Sequence, residues 1–146
     1  MSDRPLFTGS FEHTLDDKGR LVVPLRFRER LGGGFFLTIA HPDPCLAIYP
    51  AEYWSEIVAR IGDAAVKDAR YRSWVRYLFA HTEEINVDAN GRLVIPPHLR
   101  AWAGIEKEAV LIGSMRRVEL WAKDRYADHV RETGEIPDLT SELGLF

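Results

Sequence analysis

The chain contains the same ten-residue phrase twice. LDDKGRLVVP begins at Leu15 and returns as VDANGRLVIP at Val87, seventy-two positions later. With that shift, Glu12 to Gly32 falls on Glu84 to Gly104, and nine of the twenty-one aligned positions are identical. The shift also pairs Leu46 to Tyr49 with Val118 to Trp121, while FFLTIA matches AVLIGS after a slip read as one residue. A period of this length means one supersecondary unit used twice. Each copy spans about 45 residues, too few to bury a self-sufficient core. The two copies are therefore expected to share a single core.

Both copies carry the same local signals. Alternation in Phe11 to Leu15 suits a half-buried strand. Asp17-Lys18-Gly19 and Ala89-Asn90-Gly91 then place glycine where a tight turn needs positive φ, either as a three-residue loop with a bulge or as a two-residue Asn-Gly turn. The β-branched runs Leu21 to Val23 and Leu93 to Ile95 are stopped by Pro24 and Pro96, because proline cannot continue a central ladder. Short helices are expected over Leu25 to Leu31 and Pro97 to Ala103, ended by Gly32 and Gly104. Two more strands follow in each copy, Phe35 to Ala40 with Leu46 to Tyr49, and Ala109 to Ile112 with Val118 to Trp121.

Residues 50 to 81 interrupt the repeat. Trp54, Ile57, Val58 and Ile61 follow helical spacing, and a second stripe of Val66, Ala69, Trp74, Tyr77 and Leu78 follows Gly62-Asp63. This segment reads as a helical hairpin broken at Gly62-Asp63. A last helix is expected over Lys123 to Glu132, with GEIPDLTSELGLF as a mobile tail. The organisation expected is a first module at 8–53, a helical linker at 54–81, a second module at 82–125, and a C-terminal helix with an acidic tail at 126–146.

The formal net charge is −3, but the charge is unevenly distributed. Residues 1 to 117 hold sixteen Lys/Arg against fifteen Asp/Glu, whereas residues 118 to 146 hold three against seven. Basic clusters occur at Lys18, Arg20, Arg26, Arg28 and Arg30, and at Lys67, Arg70, Arg72 and Arg76. No apolar run reaches the roughly 20 residues that span a bilayer. A lone cysteine, Cys45, and an N-terminus without a signal pattern read as a cytoplasmic protein.

The chemistry of these residues points to binding. In each copy an aspartate, Asp16 or Asp88, stands four residues before an arginine, Arg20 or Arg92, across a turn glycine. The carboxylate can hold the guanidinium so that its fork meets a guanine edge or a phosphate. One isolated pair of this kind is ordinarily a solvated ion pair worth about 0–1 kcal/mol. Duplication shifts the balance, since two related hairpins would set two arginines side by side on a β-ribbon able to enter a major groove. Asn86, Asp88, Asn90 and Gly91 match the opening of a calcium loop, but Pro97 stands where the bidentate glutamate belongs. Five histidines lack metal-ligand spacing, and no nucleophile-elbow, dinucleotide or phosphate-loop motif occurs. No catalytic residue, metal or cofactor is expected, and the chain is read as a binder rather than an enzyme. Trp54, Trp74, Trp102 and Trp121 sit on apolar faces where burial is the ordinary role of most, with an interface role left open. Arg26, Arg28 and Arg30 read equally as a solvated helix side or as phosphate contacts.

FTGSFEHTLDDKGRLVVPLRFRERLG, CLAIYP, VDANGRLVIPPHLRAWAGI and VELW resemble the MraZ family, whose members consist of two tandem modules of the SpoVT-AbrB type. The likeness runs over roughly residues 7 to 130 and is most specific at the two DxxxR motifs. It implies an α+β fold with a mainly β core, in which two tandem ββαββ repeats interlock as swapped hairpins in one pseudo-twofold barrel. It also implies a transcriptional regulator, usually a repressor, that binds short tandem DNA repeats upstream of the division and cell-wall gene cluster. Subunits are expected to form a closed homo-oligomeric ring associated with the nucleoid, without a membrane or small-molecule partner. The DNA-contacting role carries over onto Arg20 and Arg92 and, with less correspondence between the copies, onto Lys18, Arg26, Arg28 and Arg100, supported by Asp16, Asp88, Gly19 and Gly91. The other reading is a ring-forming scaffold that recruits a protein partner through the helical hairpin.

Overall fold

The computed structural model describes residues 6–145. The N-terminal stretch read for a signal pattern begins at residues outside this range. The first copy consists of β1 (Ser10–Thr14), β2 (Arg20–Val22), α1 (Leu25–Leu31), β3 (Phe35–Ile39) and β4 (Leu46–Pro50). Two helices are inserted after it, α2 (Ala51–Lys67) and α3 (Arg70–Ala80). The second copy consists of β5 (Glu83–Ile85), β6 (Arg92–Val94), α4 (Pro97–Ala103), β7 (Glu108–Ser114) and β8 (Arg117–Ala122), and α5 (Lys123–Thr133) follows.

The strands form a six-stranded antiparallel sheet in the order β1-β7-β8-β4-β3-β5, together with a separate two-stranded ribbon of β2 and β6. This order is a palindrome of the two copies. The first strand of each copy pairs with the third strand of the other, β1 with β7 and β5 with β3. Leu21 faces Leu93 and Ala47 faces Glu119, so residues seventy-two positions apart meet on a pseudo-twofold axis. The pairing of β1 with β2 expected from the turn does not occur as a ladder. β1 instead makes five pairs with β7, and β2 makes three with β6.

Neither copy closes on its own. The principal core draws Leu21, Phe27, Phe35 and Leu37 from the first copy and Leu93, Leu99, Leu111 and Leu120 from the second. Each of these side chains contributes about 1.5–3 kcal/mol when taken fully out of water. The small helices join that core through residues one turn apart, Phe27 with Leu31 on α1 and Leu99 with Ala103 on α4.

Three expectations need correction. The resemblance implies a closed barrel, but β1 and β5 end the sheet as open edges, and the β2–β6 ribbon stands apart. Pro24 and Pro96 follow closely behind the ribbon strands and serve as caps of α1 and α4, so the ribbon is only three residues long and does not bridge the sheet edges. The slip between the third strands is two residues rather than one, since Phe35 faces Ile85 where its counterpart Ala109 faces His13. The second copy has a longer approach to β7 and compensates with a tight turn in which Ser114 faces Arg117.

The helical insertion breaks at Asp68, not at Gly62-Asp63. A glycine inside a helix costs only about 1 kcal/mol, so α2 runs through Gly62. Asp68 has extended backbone, and its Oδ1 accepts the Arg70 N–H at 2.9 Å, which starts α3 afresh. The expected apolar stripe is only partly covered. Leu78 packs against the core, Phe79 contacts Trp54, and Trp102 donates its Nε1–H to the Tyr77 hydroxyl. Val66, in the last turn of α2, and Trp74, on α3, remain 87% and 43% exposed. Of the four tryptophans, Trp54 and Trp121 are buried and Trp102 is partly buried.

Candidate nucleic-acid interface

Both turns are built to one hydrogen-bond plan. Asp16 N–H donates to the Arg20 carbonyl and Gly19 N–H to the Asp16 carbonyl, both at 3.0 Å. The second turn repeats this with Asp88, Arg92 and Gly91. This is the three-residue loop with a bulge, and the glycine at its end has φ of 75° at Gly19 and 74° at Gly91. The two-residue Asn-Gly alternative is not used.

The aspartate side chain completes each turn. Asp16 Oδ1 accepts the N–H groups of Lys18 and Arg20, both at 2.9 Å, while its Oδ2 accepts Arg20 Nε–H at 2.5 Å. Asp88 does the same for Asn90, Arg92 and Arg92 Nε–H, at 2.8, 3.0 and 3.0 Å. Chiefly the backbone N–H of the arginine, joined by the guanidinium itself, holds each carboxyl below the ordinary value of 3.8. One carboxylate thus fixes the turn backbone and aims the arginine. The oxygens of Asp88 that resembled calcium ligands are used in these bonds.

The two turns are also tied to each other. Val23 N–H donates to the Gly91 carbonyl at 2.9 Å, and Ile95 N–H to the Gly19 carbonyl at 3.3 Å. Arg20 faces Val94 and Val22 faces Arg92 across the ribbon. Strand alternation puts Leu21 and Leu93 inward and these four residues outward. The outer face is therefore a checkerboard of two arginines and two valines, with Val22 41% and Val94 52% exposed. Arg92 also approaches Asp16 Oδ2 at 4.0 Å, so Asp16 serves both arginines. The sequence reading placed the arginines on this ribbon but passed over Val22 and Val94. Their signal lay in the repeated GRLV, where the phase of alternation turns the valine outward.

Other expected contact residues divide into two groups. Lys18 is exposed at the first turn, and Arg26 is exposed with its guanidinium 5.8 Å from the Phe11 ring centre. Arg28 and Arg100, the matching pair on α1 and α4, lie beneath the turns. Arg28 Nε–H donates to the Val23 carbonyl at 2.9 Å, and a side chain built on Gly91 would stand 2.6 Å from its guanidinium carbon. Arg100 donates to the carbonyls of Ile105 and Glu106 and lies beside Gly19. Each helix arginine thus packs on the turn glycine of the other copy, and both glycines are buried.

These features define a duplicated α+β protein whose two copies jointly present a short ribbon bearing paired, aspartate-held arginines. The chain matches the family described as "MraZ protein, putative antitoxin-like" over residues 6–75 and 78–142. It belongs to the MraZ family. The second match reaches residue 142, so most of the tail expected to fall outside the likeness is included. It is 39% identical over 137 residues to the transcriptional regulator MraZ of Moorella thermoacetica, covering 94% of this chain and 95% of that protein. The namesake from Pediococcus pentosaceus is 38% identical over the same shares of both chains. That from Desulforamulus reducens is 40% identical over 83% of this chain and 84% of its own length. These relatives are named as regulators and not as enzymes.

Proposed function

We propose that this protein is a cytoplasmic, nucleoid-associated transcriptional regulator that binds double-stranded DNA through the outer face of the β2–β6 ribbon. The observation that carries this reading is the pair Arg20 and Arg92, each tied to its own aspartate and set beside an exposed valine. A three-residue ribbon is about 10 Å long, comparable to the width of a major groove. Arginine forks read guanine edges, and an apolar side chain between them can meet a thymine methyl. Lys18 and Arg26 add phosphate contacts, while Arg28 and Arg100 act as positioning residues that brace the turns.

The finer expectations follow from the same reading. Exchange of β1 and β5 between the copies supports the swapped-hairpin relation of two modules at 8–53 and 82–125, with 54–81 as linker and 126–146 as tail. The proposed action is repression at short tandem repeats upstream of the division and cell-wall gene cluster. A ring of subunits would add several weak contacts into useful affinity where repeat spacing matches subunit spacing. This also accommodates a net charge of −3, since each subunit needs few cationic contacts.

Anisotropy titration on a duplex carrying those repeats tests the proposal. Combining Arg20→Ala with Arg92→Ala is expected to weaken binding at least about thirtyfold, at roughly 1–3 kcal/mol per base-reading arginine, without changing the oligomer. Log affinity should fall linearly with log salt. Unchanged affinity in the double variant overturns the ribbon mechanism.

A further inference from the structure

The two turns that carry the ribbon arginines are formally neutral. Residues 16–20 hold Asp16 and Asp17 against Lys18 and Arg20, and residues 88–92 hold Asp88 against Arg92. A surface that gripped DNA by its phosphates would carry an excess of lysine and arginine here. That excess lies instead on α1, where Arg26, Arg28 and Arg30 face only Glu29.

The matching of charges is also local. Arg20 donates its Nε–H to Asp16 Oδ2 at 2.5 Å, and Arg92 donates its Nε–H to Asp88 Oδ2 at 3.0 Å. Among the described residues no hydrogen bond takes up the terminal amino groups of either guanidinium; Arg92 Nη1 stands 4.0 Å from Asp16 Oδ2. The end of each fork is therefore left for a ligand with two adjacent acceptors. Both carboxyls are held below the ordinary 3.8, chiefly by the backbone N–H of the arginine, so both are charged at neutral pH.

A guanidinium held in this way distinguishes between its two possible partners on DNA. O6 and N7 of guanine are uncharged acceptors that fit the free end of the fork. A phosphate carries a full negative charge, and the carboxylate on the far side of the guanidinium repels it. The valines act in the same sense. Val22 and Val94, 41% and 52% exposed, offer nothing to a phosphate and gain from contact with a thymine methyl. We propose that Asp16 and Asp88 set the sequence specificity of the ribbon, positioning Arg20 and Arg92 for base edges and excluding phosphate as their ligand. This rests on the DNA-binding reading above, and it assigns non-specific affinity to cations off the ribbon face, such as Lys18 and Arg26.

Anisotropy titrations of the full chain on two duplexes, one carrying the promoter repeats and one with their bases scrambled, provide the test. Combining Arg20→Ala with Arg92→Ala should weaken binding to the repeats while leaving the scrambled duplex, and its salt slope, as in the unaltered protein. Arginines seated on phosphates would instead weaken both duplexes alike and lower the salt slope by about 1 each, which would overturn the inference. Asp16→Asn and Asp88→Asn carry the converse expectation. Asparagine keeps an Oδ1 for the backbone N–H groups of the turn, and circular dichroism with the amide shifts of Lys18 and Asn90 would verify the fold. The scrambled duplex should then bind more tightly, with a salt slope steeper by about 0.9 per aspartate removed. In the combined aspartate variant the ratio of repeat to scrambled affinity should drop at least about fivefold. Asp17→Asn removes the same charge from the same turn without releasing an arginine, so it should move both affinities together. A ratio unchanged by the Asp16 and Asp88 variants, or lowered by Asp17→Asn as far as by Asp16→Asn, overturns the inference and leaves the ribbon as the DNA-binding face. Should an asparagine variant fail to fold, the arginine variant alone decides. An unaltered protein that does not prefer the repeats sinks the DNA-binding reading as well.

Discussion

The turn at residues 16–20 and the turn at 88–92 share a backbone and differ in decoration. Each uses the same bulged loop, the same glycine conformation and the same aspartate bonding. Around that frame the first turn carries Lys18 and a helix bearing Arg26, where the second carries Asn90 and His98. His98 lies 3.8 Å from a Glu83 oxygen, whereas Arg26 lies over Phe11. Asp16 touches both arginines, and Asp88 touches one. Pseudo-symmetry thus governs the turn backbone, while the copies differ both at outward positions such as Lys18 and Asn90 and in the volumes of buried ones, where Phe27 and Leu31 correspond to Leu99 and Ala103.

That contrast can be broken most forcefully at the axis. Leu21→Ala and Leu93→Ala remove fully buried partners that face each other, and each is expected to cost about 2–5 kcal/mol, equally within error, by urea denaturation. A clear inequality would show that the two copies do not share the core evenly. Next in size are Arg20→Ala and Arg92→Ala, at about 1–3 kcal/mol of operator binding each. The loss at Arg20 should be the greater, because its turn also holds Lys18; equal losses would remove the proposed inequality of the two turns.

Smaller effects are expected at the glycines. Alanine at either position adopts a left-handed conformation at roughly 1–2 kcal/mol. Gly91→Ala should exceed Gly19→Ala in a thermal melt, because its methyl would stand 2.6 Å from Arg28, against 3.0 Å between Gly19 and Arg100. The reverse order would mean that Arg28 moves aside readily. Smallest at neutral pH is the titration of the aspartates. Both carboxyls are held below 3.8, so their contribution is complete above that value and is lost as pH falls through the lower folded value. Amide shifts of Lys18, Asn90, Arg20 and Arg92 should stay constant from pH 7 to 5 and move only in acid. Movement near pH 6 would contradict the aspartate-held turn.

Much of the site was legible because its signals are local. Aspartate, glycine and arginine at fixed spacing specify a turn through bonds spanning four residues or fewer, so GRLV in duplicate was sufficient to find it. The helices over Leu25–Leu31 and Pro97–Ala103 were legible for the same reason, having proline before and glycine after. The packing of Arg28 and Arg100 against the turns was not legible, since their partners are glycines of the other copy. The break at Asp68 was misplaced because a glycine weakens a helix less than a competing aspartate side chain redirects it.

The sequence by itself determined the duplication, the two turns, the paired arginines and the need for a shared core, because these depend on periodicity and on contacts between near neighbours. Tertiary structure alone decided that β1 and β5 cross to the other copy, that the sheet stays open, and that Arg20, Val22, Arg92 and Val94 form one face. Strand partners this far apart in sequence are selected by which arrangement buries the most apolar surface at once. No single copy of the repeat contains that choice.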